Sequence, residues 1–452
     1  MRRSVADARL DPMTAPTPRP SLSSFWHDLP REGKLLLSVV AFEFIGTGLV
    51  LPFWVVYLHE LRGYSLSVVG ILLAVMSAAG VVVSAPGGML IDRFGPRRTM
   101  LCVLVAAVIG QTTVAFADNI VTTTLGVAII GAGFGLGWPT SQALIASVVP
   151  SPIRSRYFGM NFSLLNLGIG IGGIIGGLVV DVHNLATFQA MYLGDAVSYA
   201  PSLVLLLVPL RHIGTPVPDP DQGTEAEKIS YLKVLRAPAM GTMTLLMFVS
   251  AFAGYSQLNA GMPAYSRAIG EVSTRGLGFA FACNTLVIVL LQLVVLQRIE
   301  GHRRTRVVAL MSIVWAGSWA LLGASGIAPG TATATFFVAA CASVFALGET
   351  LLQPTIPAII NDLAPDHLRG RYNALSAASF QSASILGPIV AGFLIGHHWH
   401  LEYLGMLIVG CALTGWLSVV RLEPQLDGVA NGVVPAGIPL DLAEAAPVDT
   451  TG

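Results

Sequence analysis

The sequence predicts an all-α membrane protein whose twelve transmembrane helices form two pseudo-symmetric six-helix bundles. Three observations carry that expectation: the chain is too apolar for water, its apolar runs match a bilayer in length, and its basic residues gather on one side of those runs. Of 452 residues, 54% are hydrophobic and 11% are charged, and the mean hydropathy is +0.71. The 25 Lys and Arg cancel the 25 Asp and Glu, so no net field points to nucleic acid or an acidic partner. The expected surroundings are the lipid bilayer.

A helix rising about 1.5 Å per residue needs about 20 apolar residues to cross a hydrocarbon core about 30 Å thick. Twelve segments meet that length: 35–58, 67–91, 99–117, 122–149, 158–180 and 187–210, then 240–264, 277–296, 307–326, 333–360, 374–395 and 401–420. They divide the chain into a disordered N-terminal segment (1–34), a first bundle (35–210), a central loop (211–239), a second bundle (240–421) and a disordered tail (422–452). The first segment is rich in Pro, Ser and Arg and lacks the short apolar core and cleavage site of a secretory signal, so the first span itself is expected to direct insertion. The tail is Ala, Pro, Gly and acidic residues without periodicity, a composition that buries little. Sorting the loops by parity leaves Arg62, Arg267 and Arg275 opposite the N-terminus and the other 22 of 25 basic residues (25 − 3) beside it. Basic loops stay cytoplasmic, so both termini are expected inside the plasma membrane. Cys102, Cys283, Cys341 and Cys411 lie in apolar runs without metal-ligand spacing and read as small core residues.

The halves match at a constant shift. Pro139 and Thr140 correspond to Pro354 and Thr355, separated by 354 − 139 = 215. Pro150, Arg154, Arg156 and Tyr157 recur as Pro365, Arg369, Arg371 and Tyr372, and Gly172 recurs as Gly387. Landmarks in one register over about 50 residues are the mark of an internal repeat.

After the second span stand Gly88, Asp92, Arg93, Gly95, Arg97 and Arg98 in the pattern G-x-x-x-D-R-x-G-x-R-R. Gly95 permits a tight turn, and the arginines hold the loop on the cytoplasmic side. Here the sequence resembles the major facilitator superfamily, whose motif between its second and third helices has this form. A weaker echo runs from Glu300 through Gly301, His302, Arg303 and Arg304, and the resemblance covers 35–421. It implies that Asp92 latches the second helix to the start of the eleventh and favours an outward-facing state. The fifth span carries Gly159, Gly168, Gly172, Gly173, Gly176 and Gly177, with 168, 172 and 176 on one face as small-xxx-small steps. That face can approach another helix closely, and the 215 shift gives the eleventh span Ala383, Gly387 and Ala391, with Pro388 following. The glycine spacing is similar to the fifth-helix motif of the superfamily's antiporters, although Gly173 stands where the family has proline. The family's fourth-helix arginine would fall at Val127, ahead of Gly131.

Carboxylates inside the bilayer cost about 2.5–3.5 kcal/mol even on insertion scales, so they face cavities and mark function. Glu43, near the middle of the first span, is the foremost proton-coupling candidate, because apolar surroundings penalise its bare anion. Resemblance to facilitator drug/proton antiporters implies that such an acid carries the coupled proton and meets cationic substrate. Glu349 in the tenth span and Asp195, in the outer part of the sixth, follow on the same grounds. Trp138, Gln142, Asn161, Asn166, Tyr255, Gln257, Asn259 and Gln381 supply aromatic faces and amides for a central substrate cavity between the halves. His397, His398 and His400 read as interfacial residues and not as metal ligands.

These residues point to a monomeric secondary transporter that exports amphipathic small molecules or drugs by alternating access, with the proton gradient as energy source and neither cofactor nor metal. Proton-coupled uptake of a metabolite or sugar is the alternative, as is a non-transporting sensor on the same fold. An enzyme is not expected: no nucleophile and base pair, metal triad or phosphate loop stands out.

Overall fold

The computed structural model describes residues 26–213, 234–299, 301–364 and 369–433. Twelve membrane-length helices run through them: α1 (Arg31–Leu61), α2 (Leu66–Phe94), α3 (Pro96–Phe116), α4 (Ile120–Val148), α5 (Ser151–Val179) and α6 (Leu185–Leu207), then α7 (Pro238–Ala268), α8 (Thr274–Ile299), α9 (Arg304–Ala324), α10 (Ala332–Leu363), α11 (Arg369–Gly396) and α12 (His400–Gln425). The chain is a multi-pass membrane protein. The face at which α1 begins is called the terminal face, and the opposite one the far face.

Local chemistry explains where the helices start. At the far face, Ser65, Asn119, Asn184 and Thr331 cap α2, α4, α6 and α10 by accepting the first free backbone N–H groups. At the terminal face, proline stands in or just before the first turn of α1, α3, α5 and α7, where a missing N–H costs nothing. Gly95 joins α2 to α3 at φ +80°, a conformation only glycine adopts freely, and Gly301 makes the equivalent turn before α9 at φ +79°.

The repeat is visible atom by atom. Pro139 and Pro354 lie inside α4 and α10, and the threonine after each donates its hydroxyl one turn back: Thr140 to Leu136 O and Thr355 to Leu351 O, both at 2.6 Å. Both first helices of the halves also lose regularity toward the far face. α1 ends in a wide turn at Tyr57–Leu61, and α7 breaks at Gly254 and contains another at Gln257–Gly261.

The halves meet through α2 with α11 and α5 with α8. Gly70 lies against Pro388, Gly392 against Leu66, and Gly278 against Gly173 and Gly177. Among the described residues, the hydrogen bonds and ion pairs between halves lie at the far face. Arg267 clasps Glu60 with two nitrogens, and the Ser67 hydroxyl donates to Gly392 O at 3.4 Å.

Both ends of the chain correct the expectation of disorder. Residues 1–25 lie outside the described residues, but from Trp26 the chain is folded: Leu29 is buried beside Val149, and the Tyr157 hydroxyl donates to Gly33 O at 3.2 Å. The tail holds structure to residue 433. Asn431 accepts from the Arg304 and Thr305 backbone N–H groups at 2.9 and 3.1 Å, capping α9, while Arg303 donates to Glu423 at 2.7 Å. Charge pairing and capping order this piece without an apolar pattern. Most of the central loop, 214–233, lies outside the described residues, as does 434–452.

Candidate functional site

Glu43 sits twelve residues into α1 (43 − 31), half-buried, with the Ser202 hydroxyl of α6 donating to its Oε2 at 2.5 Å. It forms the mid-membrane wall of a cavity of about 260 Å³. The cavity occupies the part of the first bundle nearest the terminal face, from Leu36, Met100 and Leu144 inward to Glu43, Thr47 and Ile130. Its walls are almost entirely aliphatic and aromatic, relieved by a few hydroxyls and Asn161. Such a chamber suits an amphipathic molecule with one polar or cationic end.

Asp195 adjoins this site. It lies ten residues into α6 (195 − 185), at mid-span and not in the outer part, because the helix begins at Leu185 and runs toward the terminal face. The residue is fully buried, and Gln111 Nε2 of α3 donates to its Oδ2 at 2.5 Å. Its Oδ1 stands 3.5 Å from Ser198 Oγ, which donates to Asp195 O at 2.7 Å and lies 3.1 Å from the main-chain oxygen of Glu43. Gly46 makes the approach of α6 to α1 possible, since a Cβ there would fall 2.7 Å from Asp195 Oδ1. Pro201 lies at the start of the last segment of α6, Ala200–Leu207, so Asp195 and Ser198 stand on one side of a break in the helix and Ser202 on the other.

Glu349 is separate. In the second bundle it accepts from Asn284 Nδ2 at 3.0 Å and adjoins Tyr255, whose ring is edged by Trp315, Phe345 and Phe380. Of the three acids named as proton-coupling candidates, Glu43 and Asp195 lie in one cluster and Glu349 in another.

The predicted cavity residues divide in the same way. Trp138 and Asn161 line the chamber, which lies within the first bundle and not between the halves. Gln142 is half-buried off its wall, and Asn166 donates to Phe162 O of its own helix at 2.9 Å. Gln257 is a buried structural bridge: it donates to Phe252 O and Gly387 O and accepts from the Tyr403 hydroxyl. Asn259 is exposed, Gln381 is half-buried on α11, and Tyr255 belongs to the Glu349 cluster.

In the loop motif, Arg97 donates to Leu206 O at 2.8 Å, tying α3 to the end of α6, while Arg93 lies over the Phe94 ring and Arg98 is exposed. The Asp92 side chain and the surroundings of Gly88 lie outside the described residues, and so does the latch ascribed to them. Gly168, Gly172 and Gly176 press onto α1: Cβ atoms there would stand 2.9, 2.8 and 2.7 Å from Phe44 Cβ, Gly48 Cα and Leu49 O. Gly177 faces α8 instead, and Gly387 admits Ser256 of α7. Gly159 departs from the expectation, because nothing lies within 4 Å of a Cβ placed there. His397, His398 and His400 sit at the far face, where α11 turns into α12. Cys341 and Cys411 are buried, but Cys102 is exposed and Cys283 intermediate, so only two of the four cysteines are core residues.

The sequence reading missed Gln111, Ser198, Ser202 and Asn284. A signal existed, because Asp195, Ser198 and Ser202 at i, i+3 and i+7 share one helical face.

Comparison with known proteins follows the same lines. The sequence profile of the Major Facilitator Superfamily matches residues 36–339 and 271–435. The MFS-type transporter YttB of Bacillus subtilis (strain 168) is 25% identical over 396 residues, covering 85% of this chain and 95% of its own. The quinolone resistance protein NorA of Staphylococcus aureus (strain MSSA476) is 27% identical over 391 residues, covering 84% of this chain and 94% of its own. Among solved structures, a POT family transporter in complex with a thioalcohol-conjugated peptide superposes with a TM-score of 0.70 at 18% identity, over 88% of this chain and 98% of its own. At that identity the likeness is one of fold.

Proposed function

We propose that this chain, which belongs to the major facilitator superfamily, exports amphipathic small molecules in exchange for protons, with Glu43 as the exchanging carboxylate. The chain is a membrane transporter and not an enzyme. One observation carries the finer reading: an apolar chamber with Glu43 as its single acidic wall residue. An ionised Glu43 in that chamber attracts a cationic or strongly polarised end group, and a protonated one does not. Proton and substrate then compete for the same oxygens. The far-face contacts between halves suit a state closed at the far face, with the chamber lying toward the terminal face. With the basic loops cytoplasmic, the terminal face is the inner one of the plasma membrane, both termini lie inside, and the movement is efflux by a monomer. Relatives that include a quinolone resistance protein support a drug-like substrate.

The test is transport in proteoliposomes under an imposed pH gradient, with a lipophilic cation, a neutral antibiotic and a sugar as probes. The expected result is gradient-driven movement of the cation that falls at least about tenfold in Glu43→Gln, equivalent to about 1.4 kcal/mol. Movement of the sugar alone, or a Glu43→Gln protein working at the wild-type rate, overturns the proposal.

A further inference from the structure

The exchange at Glu43 leaves Asp195 unused, although the fold encloses it completely and sets Ser198 and Ser202, one turn apart on α6, between the two carboxyl groups. We propose that Asp195 is a second proton store that reloads Glu43 from inside the first bundle, on the side away from the substrate chamber. The proposal rests on the reading of Glu43 given above.

Geometry joins the two acids. Ser198 Oγ stands 3.5 Å from Asp195 Oδ1, and one turn further along α6 the Ser202 hydroxyl donates to Glu43 Oε2 at 2.5 Å, so two neighbouring hydroxyls lie between the carboxyl groups. Tyr199 stands between Thr47 and Asp195, within reach of both. Hydroxyls of this kind accept one proton as they release another, so they pass protons without holding charge.

Charge gives the store its direction. Helices α1 and α3 pack on α6, and the groups they turn toward Asp195 are Glu43 and Gln111, with Tyr192, Ser198 and Tyr199 from α6 itself. Arg62, at the far-face end of α1, donates to the Tyr57 hydroxyl, and the Tyr57 ring lies 4.7 Å from that of Tyr192. Among the described residues, no Lys, Arg or His forms a hydrogen bond or ion pair with either carboxylate. Two bare anions this close in a low dielectric repel one another, so the pair holds one proton while the other site is ionised. When substrate occupies an ionised Glu43, Asp195 keeps its proton. When substrate leaves, the O–H bond at Asp195 breaks, one forms at Glu43, and the negative charge passes from Glu43 to Asp195. Asp195 then takes a new proton from the far-face side. Two polar atoms mark that side: Gln111 Oε1 and the Tyr192 hydroxyl have no hydrogen-bond partner among the described residues, and each residue is 1% exposed.

Asp195→Asn in the full-length protein is the test, because asparagine keeps the volume and still accepts from Gln111. Three readouts are taken: pH-gradient-driven transport of a lipophilic cation, its equilibrium exchange without a gradient, and proton release on binding in weak buffer. Expected are a loss of at least about tenfold in gradient-driven transport, with exchange and affinity within about threefold of wild type. Ser198→Ala should slow gradient-driven transport while leaving affinity unchanged, and it decides the matter if Asp195→Asn does not fold. A wild-type gradient-driven rate in either folded variant overturns the store and leaves Glu43 in place. Loss of affinity in Asp195→Asn equal to that of Glu43→Gln also overturns it, as does coupling to a sodium gradient alone. If Glu43→Gln itself stays coupled, the underlying reading fails first.

Discussion

In the first bundle the buried acids lie next to an apolar chamber and a row of hydroxyls; in the second, Glu349 is held by an amide and edged by aromatic rings. The two bundles share a backbone plan down to the threonine bonds beside Pro139 and Pro354, yet Ser250 stands twelve residues into α7 (250 − 238) where α1 has Glu43, and the 215 shift brings Phe134 of α4 to Glu349 of α10. Repetition therefore fixed the helix packing and left the chemistry free to differ. In the first bundle an acid lines a chamber, and in the second one is bonded to Asn284 beside Tyr255.

Three perturbations break or sharpen that contrast. The strongest acts on the glycine face that seats α5 on α1 behind Glu43. Gly172→Ile drives a side chain into Gly48 and should cost about 3 kcal/mol or more, seen as loss of monodisperse protein and a lowered Tm, whereas Gly159→Ala should change neither. Next comes Glu349→Ala, which leaves Asn284 Nδ2 with Ala342 O as its remaining acceptor and one N–H unpaired, and should cost about 1–3 kcal/mol. Its partner Glu349→Gln, still able to accept from Asn284, should keep gradient-driven transport within about twofold of wild type. If Glu349→Gln uncouples transport as Glu43→Gln does, the two bundles are chemically equivalent after all. The smallest effect belongs to the far-face clasp. Arg267→Gln removes an ion pair worth about 1 kcal/mol, so the ratio of far-face-closed to far-face-open protein should fall about fivefold, measured by spin-label distances across α2 and α11. Exchanging the two charges, Glu60→Arg with Arg267→Glu, should restore it.

Much of the architecture was legible because lipid imposes a length and proline, arginine and tyrosine mark the repeat. All twelve predicted spans overlap helices, most of which run a few residues further, although the spans ending at 117, 149, 180, 210 and 326 overrun α3, α4, α5, α6 and α9 by one to three residues. Glu43 stood out because a carboxylate in an apolar run is costly to insert and persists only where a cavity or a polar partner receives it. The position of the chamber did not stand out: Leu36, Met100 and Leu144 line it, yet the same residue types face lipid elsewhere, and composition does not separate the two surroundings. Gln257 misled for the converse reason, because an amide reads alike whether it lines a cavity or bridges three helices. Disorder was wrongly expected of residues 422–433 because their order rests on Asp427, Asn431 and the left-handed Gly432, which leave no periodic trace.

That last piece ties the order of synthesis to the order of assembly. Asn431 reaches back 127 positions (431 − 304) to satisfy the first turn of α9. When α9 leaves the ribosome its opening N–H groups have no such partner, and they gain one only after three further helices have been made. A fusion joined at residue 425 would remove that partner together with the Val429 and Ala430 carbonyls that Arg304 reaches, whereas one joined beyond 433 would spare them, a practical distinction for anyone attaching a tag.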